Sequence, residues 1–107
     1  METEGRSVAE KLDNVEASEA LAELNRNADE PWSLAEHSIY KQFRFKNFTV
    51  AFDFMGQVAE IAEAHNHHPD WSNSYNIVNI ELSTHTAKGL TRRDFEMARA
   101  IESCSRV

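Results

Sequence analysis

Cysteine occurs once in this chain of 107 residues, proline twice and glycine three times. The single Cys104 has no partner for an internal disulfide, which fits a reducing compartment. With so little glycine there is no phosphate-cradling loop, and no Gly-x-Ser-x-Gly nucleophile elbow is present. No apolar run approaches the roughly 20 residues of a membrane span. The opening Met1-Glu-Thr-Glu-Gly5 lacks the basic and apolar blocks of a signal peptide. Basic residues are also scarce: 11 Lys and Arg stand against 18 Asp and Glu, a net charge of −7. That balance argues against an extended phosphate-binding surface, because nucleic-acid affinity rests on clustered Lys and Arg. It is compatible with a small anionic ligand or a protein partner. The expectation is a cytoplasmic protein with no nucleic-acid partner and no membrane partner.

What is present is an ordinary globular composition, 41% hydrophobic and 27% charged. The length suits one domain able to bury a core without staples. Residues 1 to about 15 are polar and weakly periodic, so they are expected to be flexible, with a single domain over 16–107. Ser18 is a candidate cap for a short helix over 19–25, with Leu21 and Leu24 as its apolar contacts. Pro31 limits residues 32–34 to a short edge strand. Residues 37–45 alternate as a strand, with Ile39, Phe43 and Phe45 on one parity and Tyr40, Gln42 and Arg44 on the other. Lys41 interrupts the apolar set. His37, near the turn before it, reads as a solvated residue.

Asn47 is a plausible N-cap for the clearest helix. Phe48, Ala51, Phe52, Met55, Ala59 and Ala62 keep helical spacing, and Val50, Phe54, Val58 and Ile61 broaden that stripe. Gly56 within it costs about 1 kcal/mol relative to Ala, which a close helix-to-sheet approach would explain. Pro69 ends the run, so the helix should stop near His65. Residues 71–75 form a short extended piece. Residues 77–84 form a second strand with Val78, Ile80 and Leu82 on one face. Thr91-Arg-Arg-Asp94 resembles a capping box with Asp in place of Glu, opening a last helix with Phe95, Met97, Ala98 and Ile101 inward. The expected fold is two-layer α+β: a four-stranded antiparallel sheet with helices on one face, in a β-β-α-β-β-α core preceded by a short helix.

Four of the five histidines, His65, His67, His68 and His85, fall within this second half. The first three sit at a helix-to-strand junction and His85 lies just past a strand end, so a compact domain can bring them to one rim. Three readings fit the spacing. Imidazoles on two sides of a substrate can give and take protons near neutral pH. His-x-His-His with a distant His can hold zinc, although the spacing matches no usual zinc motif. The side chains can also be idle in a solvated turn. Glu63 lies four residues before His67 and can support its imidazole if the helix persists that far. Trp71 can stack on a planar ligand or anchor the core.

The run Glu63-Ala-His-Asn-His67-His68-Pro69-Asp70-Trp71-Ser-Asn-Ser-Tyr75-Asn76 resembles the signature of the pterin-4a-carbinolamine dehydratases. So do Leu82-Ser-Thr-His85, Gly89-Leu-Thr91 with Asp94, and the earlier Phe43-Arg-Phe45-Lys-Asn47-Phe48. The resemblance spans roughly residues 32–101. It implies the two-layer fold above, in dimers that pair through sheets and often form tetramers. It implies dehydration of 4a-hydroxytetrahydropterin to quinonoid dihydropterin after an aromatic amino acid hydroxylase has acted, with neither metal nor organic cofactor. His67, His68 and His85 would then be catalytic, with His67 and His85 as acid and base and His68 orienting the substrate. Glu63, Pro69, Trp71, Thr84, Thr86 and Ala87 would border the pterin, and His65 would be a solvated helix end. Ser72, Ser74 and Lys88 depart from the usual family residues; Lys88 would affect substrate preference and Ser74 local packing. The alternative is a non-catalytic dimerisation cofactor of a transcription regulator, a role held by animal relatives.

Overall fold

The computed structural model describes residues 10–105. Within them the first helix, α1 (Asn14–Asn25), starts a turn before Ser18, which lies inside it. Asp13 is the cap. Its carboxylate accepts the Glu16 N–H at 2.8 Å, and the Glu16 carboxylate accepts the Asp13 N–H at 2.9 Å. This reciprocal box satisfies two otherwise orphaned donors, which Ser18 cannot match. Residues 1–9 of the segment expected to be flexible lie outside the described residues. Leu12, in the same segment, is buried and donates its N–H to the Leu90 carbonyl at 2.8 Å.

Four antiparallel strands have the spatial order β1-β2-β4-β3: β1 (Ser33–Leu34), β2 (Ile39–Arg44), β3 (Asp70–Ser74) and β4 (Ile77–Leu82). The expected two-layer α+β fold is the one observed, with α2 (Phe48–His65) and α3 (Arg92–Ser105) as the other main helices. In register, Ile39 faces Leu82 and Phe43 faces Val78. These four side chains are buried, as is Ile80. Each fully buried Val, Leu, Ile or Phe stabilises the fold by about 1.5–3 kcal/mol. Among the described residues no helix is long and apolar enough to cross a membrane.

Lys41, the interruption in the apolar parity of β2, keeps that parity and is buried with it. Its Nζ lies 2.5 Å from Glu102 Oε2 on α3, and the Trp32 indole N–H donates to the same oxygen at 2.9 Å. Lys41 Nζ also sits 4.7 Å from the centroid of the Phe43 ring. The alternation is therefore complete, with an ion pair filling the position where the pattern breaks in composition. Cys104, near the end of α3, has its thiol pushed up chiefly by burial.

Asn47 caps α2 by accepting the Val50 N–H at 3.0 Å. The apolar stripe of α2 divides into two faces. Ala51, Phe54, Val58 and Ala62 point inward, whereas Phe48, Val50 and Phe52 are exposed. Gly56 belongs to the outer side: a Cβ built there meets nothing within 4 Å. The expected close approach to the sheet is absent, so nothing within the protomer offsets the helical cost of the glycine. Gly56→Ala is expected to stabilise the protomer by about 1 kcal/mol, raising Tm by roughly 4–8 °C in calorimetry.

The C-terminus of α2 sets the direction of the next segment. Asn66 adopts the left-handed region (φ 51°, ψ 46°), a conformation Asn tolerates better than most residues. Its N–H bonds back to the helix, and the His67 N–H reaches the Ala62 carbonyl at 3.0 Å. This closing turn reverses the chain, and Pro69 prevents helix from resuming.

Candidate functional site

His67 emerges from that turn pointing into the protein, with only 7% of its surface exposed. Its Nε2 lies 2.5 Å from Asp94 Oδ1, and Asp94, in the first turn of α3, is fully buried. A buried carboxylate is costly unless its lone pairs are met. Asp94 Oδ2 accepts the Thr91 N–H at 2.9 Å and the Thr84 hydroxyl at 3.0 Å. The Thr84 hydroxyl also lies 2.8 Å from the Thr91 hydroxyl, which accepts the Arg93 N–H at 3.2 Å.

Counting hydrogens orients this network. Thr84 has one hydroxyl hydrogen and it points to Asp94, so Thr91 donates to Thr84. Thr91 N–H and Thr84 O–H both donate to Asp94. With the carboxylate an acceptor throughout, His67 Nε2 must carry hydrogen and donate to Oδ1 as well. That leaves Nδ1 as the ring nitrogen able to accept a proton.

Glu63 supports a different histidine from the one its spacing indicates. Because α2 ends at His65 and Asn66 turns left-handed, the helical relation to His67 is lost. The Glu63 carboxylate meets His68 Nε2 instead, at 2.7 Å, and both side chains are exposed. His85 stands on a single 3₁₀ turn, His85–Ala87, after β4. Its Nε2 is 3.9 Å from Asp70 Oδ2. Each of the three imidazoles thus faces its own carboxylate. Among the described residues no group of three or more His, Cys, Asp or Glu side chains is arranged to hold a metal ion.

One open cleft of about 360 Å³ is lined by His67, His68, Pro69, Thr84, His85 and Thr86. Three expected neighbours do not line it. Glu63 reaches the cleft only through His68. Ala87 is on the same 3₁₀ turn as His85 but is not among the residues lining the cleft. Trp71 lies on β3 opposite Ile80 and borders a broader groove across the sheet with Tyr40 and Glu81. Asp70, the residue before Trp71 on β3, lines both the cleft and that groove. His65 is an exposed helix end, as expected, although its carbonyl accepts Arg93 Nη2 at 3.2 Å. Lys88, left-handed at φ 59°, closes the 3₁₀ turn without lining the cleft.

From spacing, Asp94 reads as a cap alone. The Thr91 N–H bond to it is half of that box, but its larger contact is His67. A signal is present in the sequence: Asp94 precedes Ala98 by one helical repeat and Ile101 by two, so it lies on the apolar stripe of α3. A charge on such a stripe calls for a buried partner. Arg93 also lines the cleft, and its Nη2 donates to the Asn66 carbonyl at 2.5 Å, tying α3 to the turn that presents His67.

Comparison with known proteins places the chain by family and by fold. A protein from Sinorhizobium fredii (strain NBRC 101917 / NGR234), provisionally named a pterin-4-alpha-carbinolamine dehydratase, is 52% identical over 99 residues, covering 90% of this chain and 89% of the relative. A counterpart of the same provisional name from Prochlorococcus marinus (strain MIT 9313) is 54% identical over 70 residues, 65% of this chain and 73% of its own. The crystal structure of a transcriptional coactivator/pterin dehydratase from Brucella melitensis superposes with a TM-score of 0.79 at 39% identity, over 89% of this chain and 98% of that one. A pterin dehydratase-like protein identified as a RuBisCO assembly factor in the alpha-carboxysome shares the fold, with a TM-score of 0.60 at 17% identity over 76% of this chain and 93% of that one. The sequence profile of the Pterin 4 alpha carbinolamine dehydratase family matches residues 10–104, from the segment before α1 to the last turn of α3. With the histidines of its motifs gathered on one cleft and its fold shared with a solved relative, the chain belongs to the pterin-4a-carbinolamine dehydratase family.

Proposed function

We propose that the protein dehydrates 4a-hydroxytetrahydropterin to quinonoid dihydropterin by histidine acid–base catalysis. The observation that carries this reading is the convergence of His67, His68 and His85 on one cleft, with His67 held by a buried carboxylate. The reaction breaks the C4a–O bond and removes the N5 proton. The N5–H electron pair becomes the N5=C4a double bond, and the departing hydroxide leaves as water once protonated. One base and one acid are enough.

His67, donating Nε2–H to Asp94, offers Nδ1 as the base for the N5 proton. The Asp94 carboxylate then faces the charge the ring acquires. His85, on the exposed side of the cleft, is the acid at the 4a-oxygen. His68, held by Glu63, binds and orients the ring system. Each positioned proton transfer is worth about 10²–10⁴ in rate. The substrate role fits tetrahydropterin recycling beside an aromatic amino acid hydroxylase, in a cytoplasmic homodimer or homotetramer. The exposed Phe48, Val50 and Phe52 of α2 provide apolar surface for self-association.

The test is the rate at which purified protein dehydrates synthetic 4a-hydroxytetrahydropterin, followed by absorbance against the spontaneous reaction. His67→Ala and His85→Ala are each expected to lose about a hundredfold or more, and the double variant to fall to the spontaneous rate. Single variants that keep wild-type turnover would overturn the assignment. No acceleration by the folded wild type would favour a binding role, such as the coactivator function named for the Brucella relative.

A further inference from the structure

Two residues ahead of α1 touch the loop that carries His85. That loop is closed on itself. The Thr84 N–H meets the Gly89 carbonyl at 2.9 Å and the Gly89 N–H returns to the Thr84 carbonyl at 3.4 Å. Inside it, the Ala87 N–H reaches the Thr84 carbonyl at 3.0 Å and the Lys88 N–H reaches the His85 carbonyl at 3.1 Å. A loop so bonded moves as a unit about its two feet. One foot is Thr84, bonded through its hydroxyl to Asp94. The other is Gly89-Leu90, held on one side by Thr91, which bonds Thr84 and Asp94, and on the other by the segment before α1.

Leu12 and Leu90 are each 5% exposed, and their backbones are joined by the 2.8 Å bond from Leu12 N–H to Leu90 carbonyl. The Lys11 stem lies against Gly89: a Cβ at Gly89 would come within 2.8 Å of Lys11 Cε and 3.4 Å of Cδ. Gly89 does not have a positive φ. A Cβ there would displace only the outer part of the flexible Lys11 side chain.

We infer that Lys11 and Leu12 form a strap that positions His85 over the cleft. The inference rests on the reading of His85 as a proton-transfer group. Neither strap residue touches substrate; both act through the loop. Proton transfer demands a fixed geometry, and a misplacement of about 1 Å can cost about a hundredfold. With the strap released, the loop stays tied at Thr84 and at Thr91 and loses its support at Gly89-Leu90, between them. His67 is unaffected, because α2 and Asp94 hold it.

The experiment compares Leu12→Ala with Leu24→Ala. Leu24 is equally buried and sits at the far end of α1. Both variants are expected to lose comparable thermal stability, so turnover is measured well below either Tm. Leu12→Ala should lower kcat about tenfold with KM within about twofold, and Leu24→Ala should leave kcat unchanged. Gly89→Ala, which retains Leu12 and displaces only the end of the flexible Lys11 side chain, should keep kcat within about twofold of wild type, placing the main hold on Leu12. By NMR, Leu12→Ala should shift the His85 ring signal and speed amide exchange at Gly89, while the His67 signal stays in place. Unchanged kcat in Leu12→Ala, or equal losses in Leu12→Ala and Leu24→Ala, overturns the strap. If the wild type itself fails to accelerate the reaction, the dehydratase reading fails, and the His85 and Gly89 signals alone decide the strap.

Discussion

Asp94→Asn is expected to lower the dehydration rate by about a hundredfold or more, with the fold retained. The substitution keeps shape and replaces an acceptor with a group that also donates. The Asn carbonyl oxygen can still accept from Thr91 N–H and Thr84 O–H, which turns its NH₂ toward His67. His67 Nε2 must then accept, so the ring hydrogen moves to Nδ1. The nitrogen assigned as base is thereby blocked, and the carboxylate that faced the imidazolium is gone. Losing charge-assisted bonds at a buried site costs about 1.5–3 kcal/mol each, so the assay belongs at a temperature where the variant is folded by circular dichroism. Nitrogen-15 NMR of the imidazoles checks the cause directly: the wild type should show His67 with hydrogen on Nε2, and the variant with hydrogen on Nδ1. Asp94→Asn with wild-type turnover would remove both the tautomer and His67 as base.

The largest stability effect is expected at Lys41 and Glu102. Both side chains are more than nine-tenths buried, at 7% and 9% exposure. Removing one partner of such a pair strands the other charge and typically costs about 3–5 kcal/mol. For a domain of this size that lowers Tm by at least roughly 12 °C. Glu102→Leu should be worse than the ion pair alone implies, because the Trp32 indole N–H loses its acceptor too. Lys41→Met leaves Glu102 with the indole as its remaining partner among the three. The double variant Lys41→Met/Glu102→Leu should recover most of the loss, since an apolar replacement of a buried pair is often neutral. Thermal melts of the two single variants and the double variant form the cycle. Additive losses would show that the two charges do not depend on each other. None of the three should alter the tautomer of His67, which lies at the other end of α3 from Glu102.

The local periods in the chain settle much of the architecture. Asn47, Pro69 and the inward Val78, Ile80 and Leu82 mark the ends of α2 and the face of β4, because capping, proline stereochemistry and strand alternation act over a few residues. The family motif brings His67, His68, Pro69, Thr84, His85 and Thr86 into one expected site, and these do line one cleft. Partner choice is decided elsewhere. Glu63 turns to His68 and not His67 because one left-handed residue, Asn66, ends the helical register between them. Lys41 is a break in the strand pattern until α3 supplies Glu102, 61 positions away. Asp94 is only a cap until the return of α3 beside the α2 turn sets it against His67, 27 positions away. Spacing in sequence governs contacts within one helix or strand. Which carboxylate meets which imidazole, and which nitrogen is left to take a proton, depends on how separate elements pack, and only the tertiary structure carries that.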